Sequence, residues 1–317
     1  MNRYFILLLT NLLTVIVITV LLSIFGVDFS NTLGLAFGCL IYGFVGAFIS
    51  LQLSKWTAKQ IYDIQIIQPN TTNETELSLL KMVKDLTIKA DLPMPEVGIY
   101  ESNEPNAFAT GSSKSNSLIA FSSGLITLMN EDEVKAVAGH EVGHIANGDM
   151  LTMTLLMGVA NAFVLFLARF VARIIDNYVA EKEDSFGLSI WGYWLLVYGL
   201  EIVFMLLAYI PISYFSRMRE YKADEYSAKL TSPISMANAL KRLDDYVDNS
   251  TNTKRNSLIF AQISNKHKVG LFATHPPLQD RIDTLLQGVS VLYCTNCGKQ
   301  YKADSSNSKC ADCGASL

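Results

Sequence analysis

The chain has 317 residues, of which 50% are hydrophobic and only 17% charged, with a mean hydropathy of +0.27. That is too apolar for an ordinary soluble protein and too charged for a bare membrane bundle, so part of the chain is expected in lipid and part in water. The 25 Lys and Arg against 29 Asp and Glu leave a net charge of −4, which excludes a nucleic-acid binder built on a basic face, and the hydrophobicity excludes a disordered chain.

Taken in chain order, residues 4–26 and 33–53 are the first two stretches that meet the test for a membrane helix, about 20 mostly apolar residues for roughly 30 Å of hydrocarbon. The first is read as retained, because its apolar run is too long for a signal peptide and no small-x-small cleavage site follows. Arg3 precedes it, Lys55 and Lys59 follow the second, and the connector 27–32 carries only Asp28. The positive-inside rule then places both the N-terminus and the segment after Leu53 in the cytoplasm. Cys39, inside the second span, reads as a small apolar residue.

Residues 74–90 carry Leu77, Leu80, Val83 and Leu86 at helical spacing, with acidic residues at the start. Short apolar runs at 97–100, 107–110 and 117–121, bounded by Pro, Asn, Gly and Ser, read as strands of a small sheet. From 131 to about 147 the pattern is helical again, with Asn130 as N-cap and Glu131, Asp132 and Glu133 in the first turn. Inside this helix stands His140-Glu141-Val142-Gly143-His144. Histidines four apart share a helix face and can reach one zinc ion, and the intervening glutamate stands beside the metal's open position, where it can take a proton from water and pass it to a leaving amine.

The third and fourth apolar stretches are 151–175 and 190–216. Their linker mixes Lys182 with four acids and leaves sidedness open, while Arg217, Arg219 and Lys222 favour a cytoplasmic return. Arg169, Arg173 and Glu201 keep a second reading alive, in which these stretches are long helices of a soluble domain. A catalytic zinc needs a third protein ligand. Glu220 is the best candidate, with Asp224 one turn on to hold a ligating histidine; Asp149 and Glu225 compete, and a plain charged juxtamembrane helix would look the same. Read alone, Thr274-His275-Pro276-Pro277 is a helix start with Thr274 as cap and proline in the first turn.

The tail carries Cys294-x-x-Cys297 and Cys310-x-x-Cys313, each pair followed by glycine. Four thiolates close a tetrahedral site, so a structural zinc ribbon is expected over 289–317; a redox dithiol is the rival reading. So short a domain has too little core to fold without its metal.

Three spaced motifs together carry a resemblance. His140-Glu141-Val142-Gly143-His144 continuing to Met150, Arg219-Glu220-Tyr221-x-Ala223-Asp224, and Thr274-His275-Pro276-Pro277-Leu278-x-x-Arg281-Ile282 resemble the signatures of the HtpX membrane metalloproteases, related to the CAAX prenyl endopeptidases, over about residues 1–288. The resemblance implies that Glu220 is the third zinc ligand and Asp224 its partner in the surrounding shell. It also implies that His275 and Arg281 lie near the cleft, stabilising the oxyanion or binding substrate backbone. Asn106-Ala107-Phe108-Ala109-Thr110-Gly111 is similar to the family's edge strand, along which an extended peptide pairs, although a plain core strand would look the same. The zinc ribbon is a departure from the family, and a protein partner is its expected ligand.

The expectation is an α+β integral membrane protein with about four transmembrane helices, a mainly helical zincin-type catalytic domain with a small sheet, and a C-terminal zinc ribbon. Its parts are a two-helix segment 1–53, catalytic segments 54–150 and 217–288, a transmembrane hairpin 151–216 and the ribbon 289–317. The expected activity is that of a zinc-dependent endopeptidase of the cell (inner) membrane that cuts membrane or misfolded proteins on the cytoplasmic side, in contact with the bilayer and not with nucleic acid. The rival function is a non-catalytic zinc-binding membrane scaffold or sensor; a transporter is disfavoured because Glu201 alone gives too little polar lining.

Overall fold

A computed structural model of the protein describes residues 31–183, 187–251, 273–287, 291–293 and 300–302. The expected first span, 4–26, and the cysteines Cys294, Cys297, Cys310 and Cys313 lie outside the described residues. The elements in chain order are α1 (Thr32–Tyr62), β1 (Gln65–Ile66), α2 (Glu74–Lys89), β2 (Glu96–Tyr100), β3 (Ala107–Ser113), β4 (Asn116–Ser122), α3 (Ser123–Leu128), α4 (Glu131–Asn147), α5 (Asp149–Glu183), α6 (Ile190–Leu230), α7 (Pro233–Thr251), α8 (Leu278–Leu286), β5 (Val291–Tyr293) and β6 (Gln300–Lys302). The chain divides into two units, Met1–Leu53 with Leu151–Ile212, and Ser54–Met150 with Ser213–Leu317.

The described residues of the first unit are almost all helical. Helices α1, α5 and α6 are each long and apolar enough to cross a membrane. They outrun the apolar stretches on which the spans were read, because the polar residues that follow keep helical propensity and nothing but Pro211 interrupts them. Only 11% of the most apolar window of α5, and the same share in α6, is buried. Phe163, Trp191 and Leu195 point outward, as lipid-facing side chains do, and a buried position in a soluble core does not fit them. Where α1 meets α5, a Cβ on Gly43 would fall 2.6 Å from the Gly158 carbonyl oxygen, so only glycine allows this backbone contact. The charges Arg169 and Glu201 pair at 2.6 Å between α5 and α6, which answers the cost of placing them among apolar helices.

The second unit has a four-stranded sheet in the order β1-β2-β4-β3, with β2 and β4 parallel and the other neighbours antiparallel. Helices α2 and α4 cover one face. Their Val83, Leu86, Val134, Ala138, Val142 and Ile145 pack on Val97, Ile119 and Phe121 of the sheet. The Val, Leu, Ile and Phe side chains among them each contribute about 1.5–3 kcal/mol when fully buried, which is what seats α4 against the strands.

Helix α4 starts on a capping box, in which the Asn130 side chain accepts from the Glu133 amide and the Glu133 carboxylate accepts from that of Asn130. Arg242 of α7 closes on the same carboxylate, at 3.0 Å. The helix ends at Gly148, whose φ of +67° is the left-handed cap that glycine supplies without strain. The expected cap at Thr274 is not found. Helix α8 begins at Leu278, with Pro277 in the cap position and no side-chain cap bond. Thr274 and His275 form a bend ahead of the helix, and the prolines that follow disfavour helical backbone in the residue before each of them, so the helix cannot start at Thr274. Strands β5 and β6 form a separate antiparallel pair.

Candidate metal centre

The HExxH histidines lie one turn apart on α4, both turned toward α6, and their rings meet edge to face. Their Nε2 atoms are 3.1 Å apart. Glu220, on α6, places Oε2 3.7 Å from His140 Nε2 and Oε1 3.5 Å from His144 Nε2. Among the described residues these three side chains form a group able to hold a metal ion.

The donor set fits zinc. Ligands at roughly 2.0–2.1 Å in a tetrahedral array stand about 3.3 Å from one another, and the three observed separations bracket that value. The outer ring nitrogens fit as well. His144 Nδ1 lies 2.6 Å from Asp149 Oδ2, and His140 Nδ1 lies 2.9 Å from Asp224 Oδ1. The hydrogen bond to Asp149 favours, at His144, the tautomer whose proton is on Nδ1 and whose Nε2 lone pair is free for a metal, and the nearby Asp224 carboxylate favours the same at His140 by charge.

Of the competing acids, Asp149 braces His144 from its outer side, and Glu225 is exposed and paired with Lys229 at 2.6 Å. Glu220 is left as the acid that faces both Nε2 atoms. Burial pushes its carboxyl up, but the hydrogen bond from His275 and the charge of Arg281 outweigh this and hold it well below the usual carboxylate range. Asp224 is likewise raised by burial and lowered, on balance, by Arg281. His144 is lowered by burial and raised, on balance, by Asp149 and the neighbouring acids.

The residues carried over from the third motif part company. His275 is half exposed, with Nδ1 3.0 Å from Glu220 Oε2, so its ring is open to an incoming molecule. Arg281 is buried. Its Nε and one terminal nitrogen grip both Asp224 oxygens at 2.7 and 2.6 Å, and its other terminal nitrogen lies 3.4 Å from Glu220. Arg281 therefore grips Asp224 and reaches Glu220 of the ligand group. Glu141, between the two histidines, is buried on α4.

Strand β3 lies at the edge of the sheet. Asn106, just before it, accepts at its carbonyl from the Ser122 amide, at 2.9 Å, and its side chain bonds the Tyr100 phenol, which burial pushes up to about 12. Backbone pairing alternates along an antiparallel strand. From that bond and the register, the main-chain groups of Ala107 and Ala109 point away from β4. Phe108 instead packs with Tyr62 and Tyr100, ring centroids 5.2 and 5.8 Å away. Ala109 was not singled out in the sequence, since strand alternation separates inward from outward backbone only once one paired position is known.

The model of peptidase family M48 matches residues 73–288. The chain is 46% identical over 287 residues to "Protease HtpX" of Shewanella pealeana, covering 90% of this chain and 99% of the relative. The same identity and coverage hold for "Protease HtpX" of Shewanella piezotolerans. Among solved structures, "Crystal Structure of S. mikatae Ste24p" superposes with a TM-score of 0.61 at 18% identity, covering 89% of this chain and 66% of that one, a likeness of fold.

Proposed function

The chain belongs to peptidase family M48 and is a membrane-bound metalloprotease, and from that premise we propose that it is a zinc endopeptidase of the cell membrane that cuts membrane or misfolded proteins on the cytoplasmic side, as protein quality control requires. The observation that carries this reading is the convergence of His140, His144 and Glu220, with Glu141 buried on the same helix between the two histidines. A bound zinc supplies acidification of its water and polarisation of the scissile carbonyl. Glu141 is assigned as the base that accepts the water's proton and returns it to the leaving amine. His275, open to solvent, is assigned to donate to the developing oxyanion. An extended substrate is assigned to β3, where the outward main-chain groups of Ala107 and Ala109 give affinity with little sequence preference; Asn106 and Phe108 then support that strand.

In this reading residues 54–150 and 217–288 are the catalytic segments, 1–53 and 151–216 the membrane segments, and 289–317 a zinc ribbon on Cys294, Cys297, Cys310 and Cys313 that binds a protein partner. The rival scaffold without catalysis has no support from the comparisons, and it gives no reason for Glu141 beside the metal group.

The test is Glu141→Gln in the full-length protein, assayed on casein and on a membrane protein. Cleavage is expected to fall by orders of magnitude while the zinc content of the histidine site stays at the parent value. Undiminished cleavage would remove Glu141 from its role. Loss of one zinc in His140→Ala and of a different one in Cys294→Ser would establish both sites.

A further inference from the structure

We propose that Gly143, with Gly139 one turn earlier, sets the helix spacing at which the third ligand reaches the histidine pair. The inference rests on the metal-site reading above and goes beyond it, because neither glycine touches the metal group. The two histidines lie on α4 and Glu220 on α6, so the separation of these helices decides whether three donor atoms converge.

A Cβ added at Gly143 would lie 3.1 Å from Tyr226 Cβ and 3.2 Å from both the Cα and the carbonyl oxygen of Ala223. All three belong to the stiff part of α6, and no rotamer change removes them. A Cβ at Gly139 would lie 3.0 Å from Ser227 Oγ, with Ser227 Cα and Cβ behind it at 3.4 and 3.5 Å. Ala223 and Ser227 are fully buried, and the Ser227 hydroxyl donates to the Ala136 carbonyl at 2.6 Å, tying α6 to α4 across the contact.

Glycine inside a helix weakens it relative to alanine, so two glycines that each precede a ligand by one residue need a packing reason, and this contact is one. Ala223 stands three residues after Glu220 and one before Asp224. Pressure on it therefore displaces a ligand and the brace of His140 together. A methyl at position 143 needs its neighbours to give by a few tenths of an ångström, while metal sites hold their distances to about 0.2 Å. Gly143 is thus a positioning residue for the metal.

The experiment measures zinc affinity by chelator competition on the full-length, detergent-solubilised protein carrying Cys294→Ser and Cys310→Ser, so that only the histidine site is scored. Gly143→Ala is expected to bind zinc about tenfold or more weakly, with the metal-free melting temperature and helix content of the parent. Gly199→Ala lies on the same helix as Glu220 with nothing within 4 Å of its added Cβ, and keeps both affinity and stability. Gly139→Ala is expected to lose less, because a single hydroxyl is the nearest obstacle. Adding Ser227→Ala to it should return the affinity to within about twofold of Ser227→Ala alone. Parental affinity in Gly143→Ala overturns the proposal, and so does a Gly139→Ala loss that Ser227→Ala leaves in place. If Gly143→Ala does not fold, the Gly139 pair and its rescue decide the matter. If His140→Ala binds zinc as tightly as the parent, the metal-site reading falls, whatever the glycine variants do.

Discussion

The two carboxylates behind the metal histidines differ in their own support. Asp224 is gripped through both oxygens by Arg281, whereas Asp149 gives its carboxylate to His144 and only its main-chain carbonyl to Arg219, at 3.4 Å. Asp149→Asn puts an amide against His144 Nδ1 and removes the preference for the metal-binding tautomer. It is predicted to weaken zinc binding by 10–100-fold, measured by chelator competition, and an unchanged affinity would leave Asp149 a mere helix-start residue. In the sequence Asp149 competed with Glu220 as a ligand. What could not be read there is that the left-handed turn at Gly148 brings it to the outer side of the ring. Residue type and spacing were thus enough to pair His140 with His144, and not to sort the acids that surround them. A second residue-scale prediction concerns Glu96, which pairs with Lys55 and Lys59 at 2.9 and 2.5 Å. Burial pushes its carboxyl up, but the two ammonium groups outweigh burial and hold it below its ordinary value. A carboxyl lowered on folding stabilises above its unfolded pKa, roughly 4.3, and loses that contribution as pH falls through the folded value. Glu96→Gln should therefore melt below wild type at pH 7, and the gap should close at pH 3; an equal gap at both pH values would assign the loss to packing.

At the scale of elements, α2, α4 and the three longer strands were legible because each carries a local signal: an acidic first turn, a cap, or a short β run between turn residues. The start of α8 lies later than the sequence suggests because a threonine before two prolines imitates a capped helix, whereas the prolines keep the helix from starting before Leu278. The extents of α1, α5 and α6 were under-read for a related reason, since hydrophobicity marks where lipid ends and does not mark where helix ends. The Arg169–Glu201 pair belongs to this scale, because it joins α5 to α6. Glu201→Leu leaves Arg169 without its acid among apolar side chains and is predicted to destabilise the protein in detergent by about 3 kcal/mol or more; Arg169→Leu added to it should recover most of that loss. If the double variant is no better than the single one, the pair does not hold the hairpin.

At the scale of the whole molecule, the mixed composition proved an average over two environments: three apolar helices that turn large side chains outward, and a second unit with an ordinary packed core. The sequence disclosed that division because the solvent sets the composition of each part. It could not disclose the closeness of α4 and α6, which depends on glycines whose meaning appears only in contact. Removal of metal with a strong chelator is predicted to abolish casein cleavage, and zinc to restore it; activity that survives full metal removal would exclude a metalloprotease mechanism for this chain. The order of elements also has a consequence for biosynthesis. His144 and Glu220 stand on either side of two apolar helices in the chain. A ribosome that has finished α4 has therefore made two ligands and no complete site, and the third emerges only after α5 and most of α6 have been synthesised. The order of elements thus leaves the ligand set incomplete until residue 220 of 317 has been made.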